Sequence, residues 1–335
     1  MKGFSMAGTG RADTGMSEGL RLLACGRDAL DAVEQAIRRV EDNEDDWTVG
    51  TGGLPNLLGE VELDASIMEG RTLRCGAVAG MKHHKNPITI ARKVMELTPH
   101  ALLVGEGADR FADVLGFARD VLLTPNASDL HADLLADKGI QKRSYDTDET
   151  LRRKARYSTA FKRLVEDADL MRWYARYARE NHGTVNILAQ DGRGDIVGGV
   201  STSGLSFKFP GRVGDSAVIG AGNYADNRYG AAACVGVGEI AIRLSLSRMA
   251  VHALARGATV EDAATSAIES IAQLEPDAGS LAILVMGKTG AAVSAANFRP
   301  CHYWFGDAET PRPVRRESIY VPPAREDTGG LGYHR

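Results

Sequence analysis

HGTVNILAQDGRGDIVGGVSTSGLSFKFPGRVGDS, residues 182–216, carries the sharpest pattern in the chain. Residues 184–190 and 196–201 are apolar and rich in β-branched side chains, and the DGRGD between them supplies turn chemistry. Two such runs joined by a short Gly/Asp connection predict a β-hairpin. A threonine opening a strand, as Thr184 does, is ordinary by itself, because β-branched residues suit a pleated sheet. Thr202 closes the returning strand, where cross-strand neighbours can meet. Arg212 and Asp215, opposite fixed charges, follow in a glycine-rich loop. Without further context they read as a loop ion pair of small energetic weight.

Upstream, Leu30, Val33, Ala36, Ile37 and Val40 recur at helical spacing, and Asp28 is placed to cap a helix over 28–41. The Gly-rich DWTVGTGGLPN (46–56) predicts loop and tight turn, and GEVELDASIM (59–68) alternates as a half-buried strand does. A helix is predicted from Asn86 and Pro87, then a short apolar run over 101–104, then a helix through GEGADRFADVLGF (105–117). From 124 to 181 charges crowd and apolar periodicity weakens, which predicts a mobile surface segment, with an exposed helical insertion as the plainer alternative. Downstream of the hairpin come a Gly-dense region to Gly238, a helix carrying Ile240, Leu244 and Met249, a helix over 260–274, and a hairpin with strands at 280–286 and 291–295. Helices and hairpins in separated groups predict packed antiparallel sheets flanked by helices, an α+β fold.

Composition narrows the function classes. The 335 residues are 44% hydrophobic and 25% charged with a formal net charge of −4, so no basic stripe points to nucleic acid. The four cysteines form no CxxC pair and read as buried thiols in a reducing compartment. With no apolar run near the ~20 residues of a membrane span and no signal-like start, a soluble cytoplasmic protein is expected. His83 and His84 are adjacent, so their side chains should not converge on a metal; surface histidines are expected, with no metal and no cofactor. GAGNYA (220–225) imitates a dinucleotide fingerprint, with Ser216–Ile219 as the strand before it and Glu239 as the ribose acid. A lone GxGxxA lacking βαβ context is weak support for that reading.

The 182–216 segment resembles the signature of the glycosylasparaginase and plant-type asparaginase family, in which an HDT or GT step is followed by STxG and PGRVGDSP. The likeness spans roughly residues 20–296 and includes DWTVGTGGLPN, GEVELDASIMEG, KNPITIARKVME, LLVGEGADRFA and GAGNYAD. It implies one N-terminal-nucleophile (Ntn) hydrolase domain over 1–335, folded as a four-layer αββα sandwich. It further implies a precursor that cuts itself between Gly183 and Thr184, giving an alpha chain (1–183) and a beta chain (184–335). In that scheme the freed α-amine of Thr184, with a reference pKa of about 7.7–8.0, serves as the base for its own hydroxyl.

The resemblance also assigns Arg212 to the substrate carboxylate, which a guanidinium can grip with two parallel hydrogen bonds, and Asp215 to the substrate ammonium. Thr202 would orient or activate Thr184, and the Gly236 amide, expected at a helix start, would hold the oxyanion. Thr48 would support the nucleophile. Substrates would be asparagine-type small molecules, and two processed units would pair as a homodimer. Four departures from the family pattern stand out. Val235 replaces a threonine and loses a hydroxyl donor. Gly183 replaces the aspartate of glycosylasparaginases, as in plant-type asparaginases. Asn186 stands where glycine is usual and is expected to narrow the site. MAGTGRADT (6–14) lacks the aromatic funnel of glycosylasparaginases. A family member weakened by these changes and acting as a binding protein is the alternative.

Overall fold

Two sheets lie face to face, each backed by helices, in a computed structural model that describes residues 3–137, 162, 164, 166–180, 182–274 and 279–323. In chain order, β1 (Ser5–Thr9), α1 (Asp13–Ala24), α2 (Ala29–Glu41), β2 (Leu63–Glu69), β3 (Cys75–Met81), α3 (Pro87–Leu97), β4 (Leu102–Val104) and α4 (Gly105–Val114) come first. They are followed by α5 (Pro125–Asp137), α6 (Ala168–Glu180), β5 (His182–Gln190), β6 (Ile196–Leu205), β7 (Asn223–Asp226) and β8 (Gly230–Gly236). The last elements are α7 (Gly238–Leu244), α8 (Leu246–Ala255), α9 (Val260–Glu269), β9 (Leu281–Gly287), β10 (Ala292–Ala296), β11 (His302–Asp307), β12 (Val314–Glu317) and β13 (Ile319–Tyr320).

The larger sheet has the order β12-β11-β1-β5-β6-β2-β3-β4, and the smaller β13-β10-β9-β8-β7. Three apolar layers hold the stack together. Side chains of α1–α3, among them Met16, Leu20, Val33, Ile37 and Ile90, pack with Val185, Ile187 and Ala189 on one face of the larger sheet. Leu188, Ala231, Ala233 and Leu284 fill the space between the sheets. Cys234, Ile283 and Val285 pack with Ile240, Val251 and Ile268 beneath the second set of helices. Since strand residues alternate between faces, odd-numbered residues of β5 face helices, whereas Thr184, Asn186 and Leu188 face the second sheet. The order of layers is therefore α, β, β, α.

Most predicted elements sit where their local chemistry puts them. The side chain of Asp28 accepts from Asp31 N at 2.8 Å and caps α2, and Pro87 occupies the first turn of α3. The β5–β6 hairpin forms around the predicted DGRGD turn. The dinucleotide reading fails: residues 215–217 form a 3-10 turn rather than a strand, and GAGNYA runs into the antiparallel hairpin β7–β8 instead of a helix. The helix predicted around Ile240, Leu244 and Met249 breaks into α7 and α8 at Ser245, whose φ of +50° is left-handed. His84 is a correction too. Rather than lying on the surface it is 1% exposed, with Nδ1 2.9 Å from Asp109 and Nε2 3.3 Å from Asp113, carboxylates one turn apart on α4. No group of three metal-ligating side chains occurs among the described residues.

The charged stretch 124–181 lies partly outside the described residues; within it, α5 and α6 are helical. The segment before the hairpin is anchored. Leu164, Trp173 and Tyr174 pack with Leu57, Phe207 and Phe209. The Tyr174 hydroxyl donates to the Phe207 carbonyl at 2.9 Å, and its ring stacks on Phe209 with centroids 5.3 Å apart. Among the described residues no helix is long and apolar enough to cross a membrane.

Candidate active site

Thr184 heads the central strand β5 and is 7% exposed. The β5–β6 ladder shifts register there: Gly183 faces Gly204 and Val185 faces Ser201, so two residues of β6 oppose the single Thr184. Such a bulge re-aims side chains, and here it brings two hydroxyls together. Thr184 Oγ1 lies 3.3 Å from Thr202 Oγ1, and the Thr202 hydroxyl donates to the Gly183 carbonyl at 2.6 Å. The Gly204 N–H donates to Thr202 Oγ1 at 2.9 Å. A donor thus polarises the carbonyl of the Gly183–Thr184 bond while its oxygen accepts from the neighbouring threonine.

The same bond is walled in from behind. A Cβ on Gly183 would lie 2.2 Å from the Thr48 Cβ, closer than atoms can approach. Thr48 is fixed in turn, with its hydroxyl 2.5 Å and its N–H 2.9 Å from Asp46 Oδ1, while its carbonyl accepts from Ser203. Thr48 therefore supports the strand through packing, with its hydroxyl turned to Asp46. Gly183→Ala is expected to slow scission at least about tenfold and to destabilise the fold by about 1–3 kcal/mol through overpacking. The cut fraction over time on a denaturing gel, read beside Tm, checks this.

Arg212 and Asp215 sit where β6 leads into the second half of the fold. The guanidinium offers its Nε–Nη2 edge to Glu239, at 3.0 and 2.8 Å. Asp215 is 6% exposed, and burial pushes its pKa up to about 7 against the opposing pull of Arg212; its Oδ2 has no hydrogen-bond partner among the described residues. A Cβ on Gly238 would lie 2.6 Å from Asp215 Oδ1, so the close approach requires glycine. Lys208, also buried, donates to the Glu62 carbonyl at 3.1 Å and pins the loop from below, its pKa lowered by burial.

The run 234–238 joins these two groups. At one end the Cys234 carbonyl accepts from Asn186 at 2.8 Å, and at the other Gly238 abuts Asp215 and Arg212. Gly236 lies between them. It ends β8, two residues before α7 rather than at the helix start, with φ of +136° and no room for a Cβ beside the Ser280 carbonyl. A cleft of about 1000 Å³ opens near Ser5, Gln190 and Lys288. It lies six residues along β5 from Thr184, roughly 20 Å at ~3.3 Å per residue, so volume alone does not find this chemistry.

Three neighbours of the site escaped the sequence reading. Thr9 lies at the end of β1; its hydroxyl reaches the Thr184 carbonyl at 3.4 Å and accepts from Asn186 N at 3.0 Å. Glu239 holds Arg212, and Tyr174 packs over the adjacent loop. Their partners lie 27 to 177 residues away, which leaves no local signal. The Asn186 side-chain amide donates to the Cys234 carbonyl on β8.

Four layers in the order α, β, β, α, with a threonine at the head of a central strand facing the space between the sheets, are those of an Ntn amidohydrolase. The chain belongs to the asparaginase family, whose model, described as Asparaginase, matches residues 9–306. It is 38% identical over 284 residues to a plant-type L-asparaginase of Pyrococcus furiosus, covering 83% of each chain. It is 38% identical over 257 residues to an N(4)-(beta-N-acetylglucosaminyl)-L-asparaginase of Elizabethkingia miricola, covering 77% of this chain and 66% of that one. An isoaspartyl peptidase/L-asparaginase of Mus musculus is 35% identical over 283 residues, covering 84% and 76%.

Proposed function

We propose that this chain is a self-processing amidohydrolase that cleaves the side-chain amide of asparagine-type substrates: L-asparagine, β-aspartyl peptides or N4-(β-N-acetylglucosaminyl)-L-asparagine. The observation that carries the reading is the hydroxyl chain from Thr184 through Thr202 to the Gly183 carbonyl. In the precursor, Thr184 Oγ attacks that carbonyl while Thr202 stabilises its oxygen. The acyl group moves from nitrogen to Oγ as the C–N bond breaks and the hydroxyl proton passes to the nitrogen, so the α-amine of Thr184 is freed and an ester forms; water then hydrolyses the ester to the Gly183 carboxylate and the Thr184 hydroxyl.

In the mature form that amine accepts the hydroxyl proton, and Oγ attacks the substrate's side-chain carbonyl. The Gly236 N–H receives the oxyanion, the leaving amine departs with a proton, and water splits the β-aspartyl ester. Arg212 and Asp215 hold the substrate's carboxylate and ammonium. The 1–183 and 184–335 chains stay together as one Ntn-hydrolase domain. Pairing of two processed units and a cytoplasmic location belong to the same reading. A denaturing gel with N-terminal sequencing, followed by incubation with the three substrates, tests it. Two fragments, one starting at Thr184, together with release of ammonia, amino acid or sugar support the enzyme; silence from fully cut protein favours a binding protein.

Binding of the substrate ammonium depends on pH through Asp215. Only ionised Asp215 attracts an ammonium, and with a folded pKa of about 7 its ionised fraction rises with pH through neutrality. KM is expected to climb about tenfold for each pH unit lost below 7 and to level off above it. A KM that stays flat over the same range contradicts the role given to Asp215.

A further inference from the structure

We propose that Asn186 is a positioning residue for substrate turnover, its side-chain amide setting the distance between the Thr184 hydroxyl and the Gly236 N–H. This rests on the roles given above to Thr184 and Gly236. Nucleophile and oxyanion donor lie on different sheets, β5 on the larger and β8 on the smaller. Neighbouring strands within a sheet are locked by backbone hydrogen bonds, whereas two packed faces are held by side chains alone. Something specific must therefore fix the gap between β5 and β8 at the reacting atoms, where a small misplacement is costly.

Asn186 is fully buried, two residues beyond Thr184 on the same face. Its Nδ2 donates to the Cys234 carbonyl at 2.8 Å, bridging the sheets directly beneath the nucleophile. The amide's orientation is settled by chemistry: turning it over would set Oδ1 against a carbonyl oxygen, two acceptors in contact. Backbone groups two residues apart along a strand address the same edge. The Gly236 N–H thus lies on the edge that Asn186 grips at Cys234. The other end of the bridge is equally fixed, because the Asn186 N–H is held by Thr9, whose hydroxyl also reaches the Thr184 carbonyl. Val235, on the face of β8 that carries Ala231 and Ala233, points toward the larger sheet and offers no donor of its own. Asn186 Oδ1 has no hydrogen-bond partner among the described residues, a buried acceptor whose cost is retained for the sake of the donor beside it.

Scission of the precursor does not use this gap, since Thr202 already holds the Gly183 carbonyl. The two steps therefore separate in the test. Asn186→Asp keeps the shape but places an acceptor against the Cys234 carbonyl, and Asn186→Gly removes the bridge without adding charge. Both are expected to cut themselves before Thr184 at the parent rate and to bind substrate with KM within about twofold, while kcat falls by about 10- to 100-fold. Adding Val235→Thr to Asn186→Gly, which returns a hydroxyl to β8 beside the oxyanion donor, is expected to recover part of the lost kcat. A purely structural role would lower Tm and scission while leaving kcat of the folded, cut fraction intact. The proposal is overturned if kcat stays within twofold of the parent in Asn186→Gly, or if KM rises in step with any loss. A parent protein that cuts itself yet turns over none of the three substrates would instead overturn the functional reading, and this one with it.

Discussion

Thr184→Ala is expected to remain one unbroken chain and to turn over no substrate, a loss of about 10⁴- to 10⁶-fold against the parent. The size follows from one residue holding both reagents. Alanine removes the hydroxyl that attacks the Gly183 carbonyl, so the α-amine is never released, and the mature site then has neither nucleophile nor base. The loss should not arise from unfolding, because the Thr184 hydroxyl donates to Thr202, which keeps its own bond to Gly183. Tm is expected within a few degrees of the parent. Thr184→Ser, which keeps the oxygen, should still cut, more slowly. A Thr184→Ala chain that splits at the same bond would falsify self-processing and point to a protease in the preparation.

Arg212→Ala is expected to raise KM by about 10²- to 10⁴-fold while leaving scission untouched. Two charge-assisted hydrogen bonds to a substrate carboxylate, each worth about 1.5–3 kcal/mol, account for that range. A second effect pushes the same way. Arg212 opposes the burial that raises the Asp215 pKa, so its removal drives Asp215 toward the neutral form at pH 7 and weakens the hold on the substrate ammonium as well. Arg212→Lys should recover only part of the binding, because an ammonium cannot present the fork that the guanidinium offers. Substrate titrations of fully cut protein, with the cut fraction measured alongside, decide it. A KM unchanged in Arg212→Ala removes the arginine from the substrate's binding set.

What the sequence disclosed followed from local chemistry. The α2 helix announces itself through a cap and a wide apolar stripe, and the β5–β6 hairpin through β-branched runs around a Gly/Asp turn. What it concealed lies where packing is tight. The α1 helix carries Met16, Leu20 and Leu23 at helical spacing, yet Gly15 and Gly19 weaken its propensity. They are there because α1 and α2 nearly touch: a Cβ on Gly15 would fall 1.9 Å from the Ala36 carbonyl. The β3 and β8 strands, CGAVAGM and GAAACVG, are built mainly of glycine and alanine, residues that score poorly as strand. Gly76 lies against the Ala91 carbonyl, so a larger side chain there would lift α3 off its sheet.

Site residues divide similarly. Thr184, Thr202, Arg212 and Asp215 stand within 32 positions and form a recognisable string. Thr9, Glu239 and Tyr174 acquire their relation to that string only when the chain folds. His84 shows the same limit, since its carboxylates on α4, beyond the intervening α3, are invisible in a reading confined to its neighbour His83.

Cutting before Thr184 would sever one polypeptide into two whose strands alternate across the larger sheet. β12, β11, β5 and β6 belong to the later piece, and β1, β2, β3 and β4 to the earlier. Two of the three seams between them flank the nucleophile's hairpin, with β1 bonded to β5 on one side and β2 to β6 on the other. Neither fragment can drift away without tearing open the ladder that holds the nucleophile. Dilution should therefore leave the cut protein whole, and reassembly from separated halves should follow second-order kinetics.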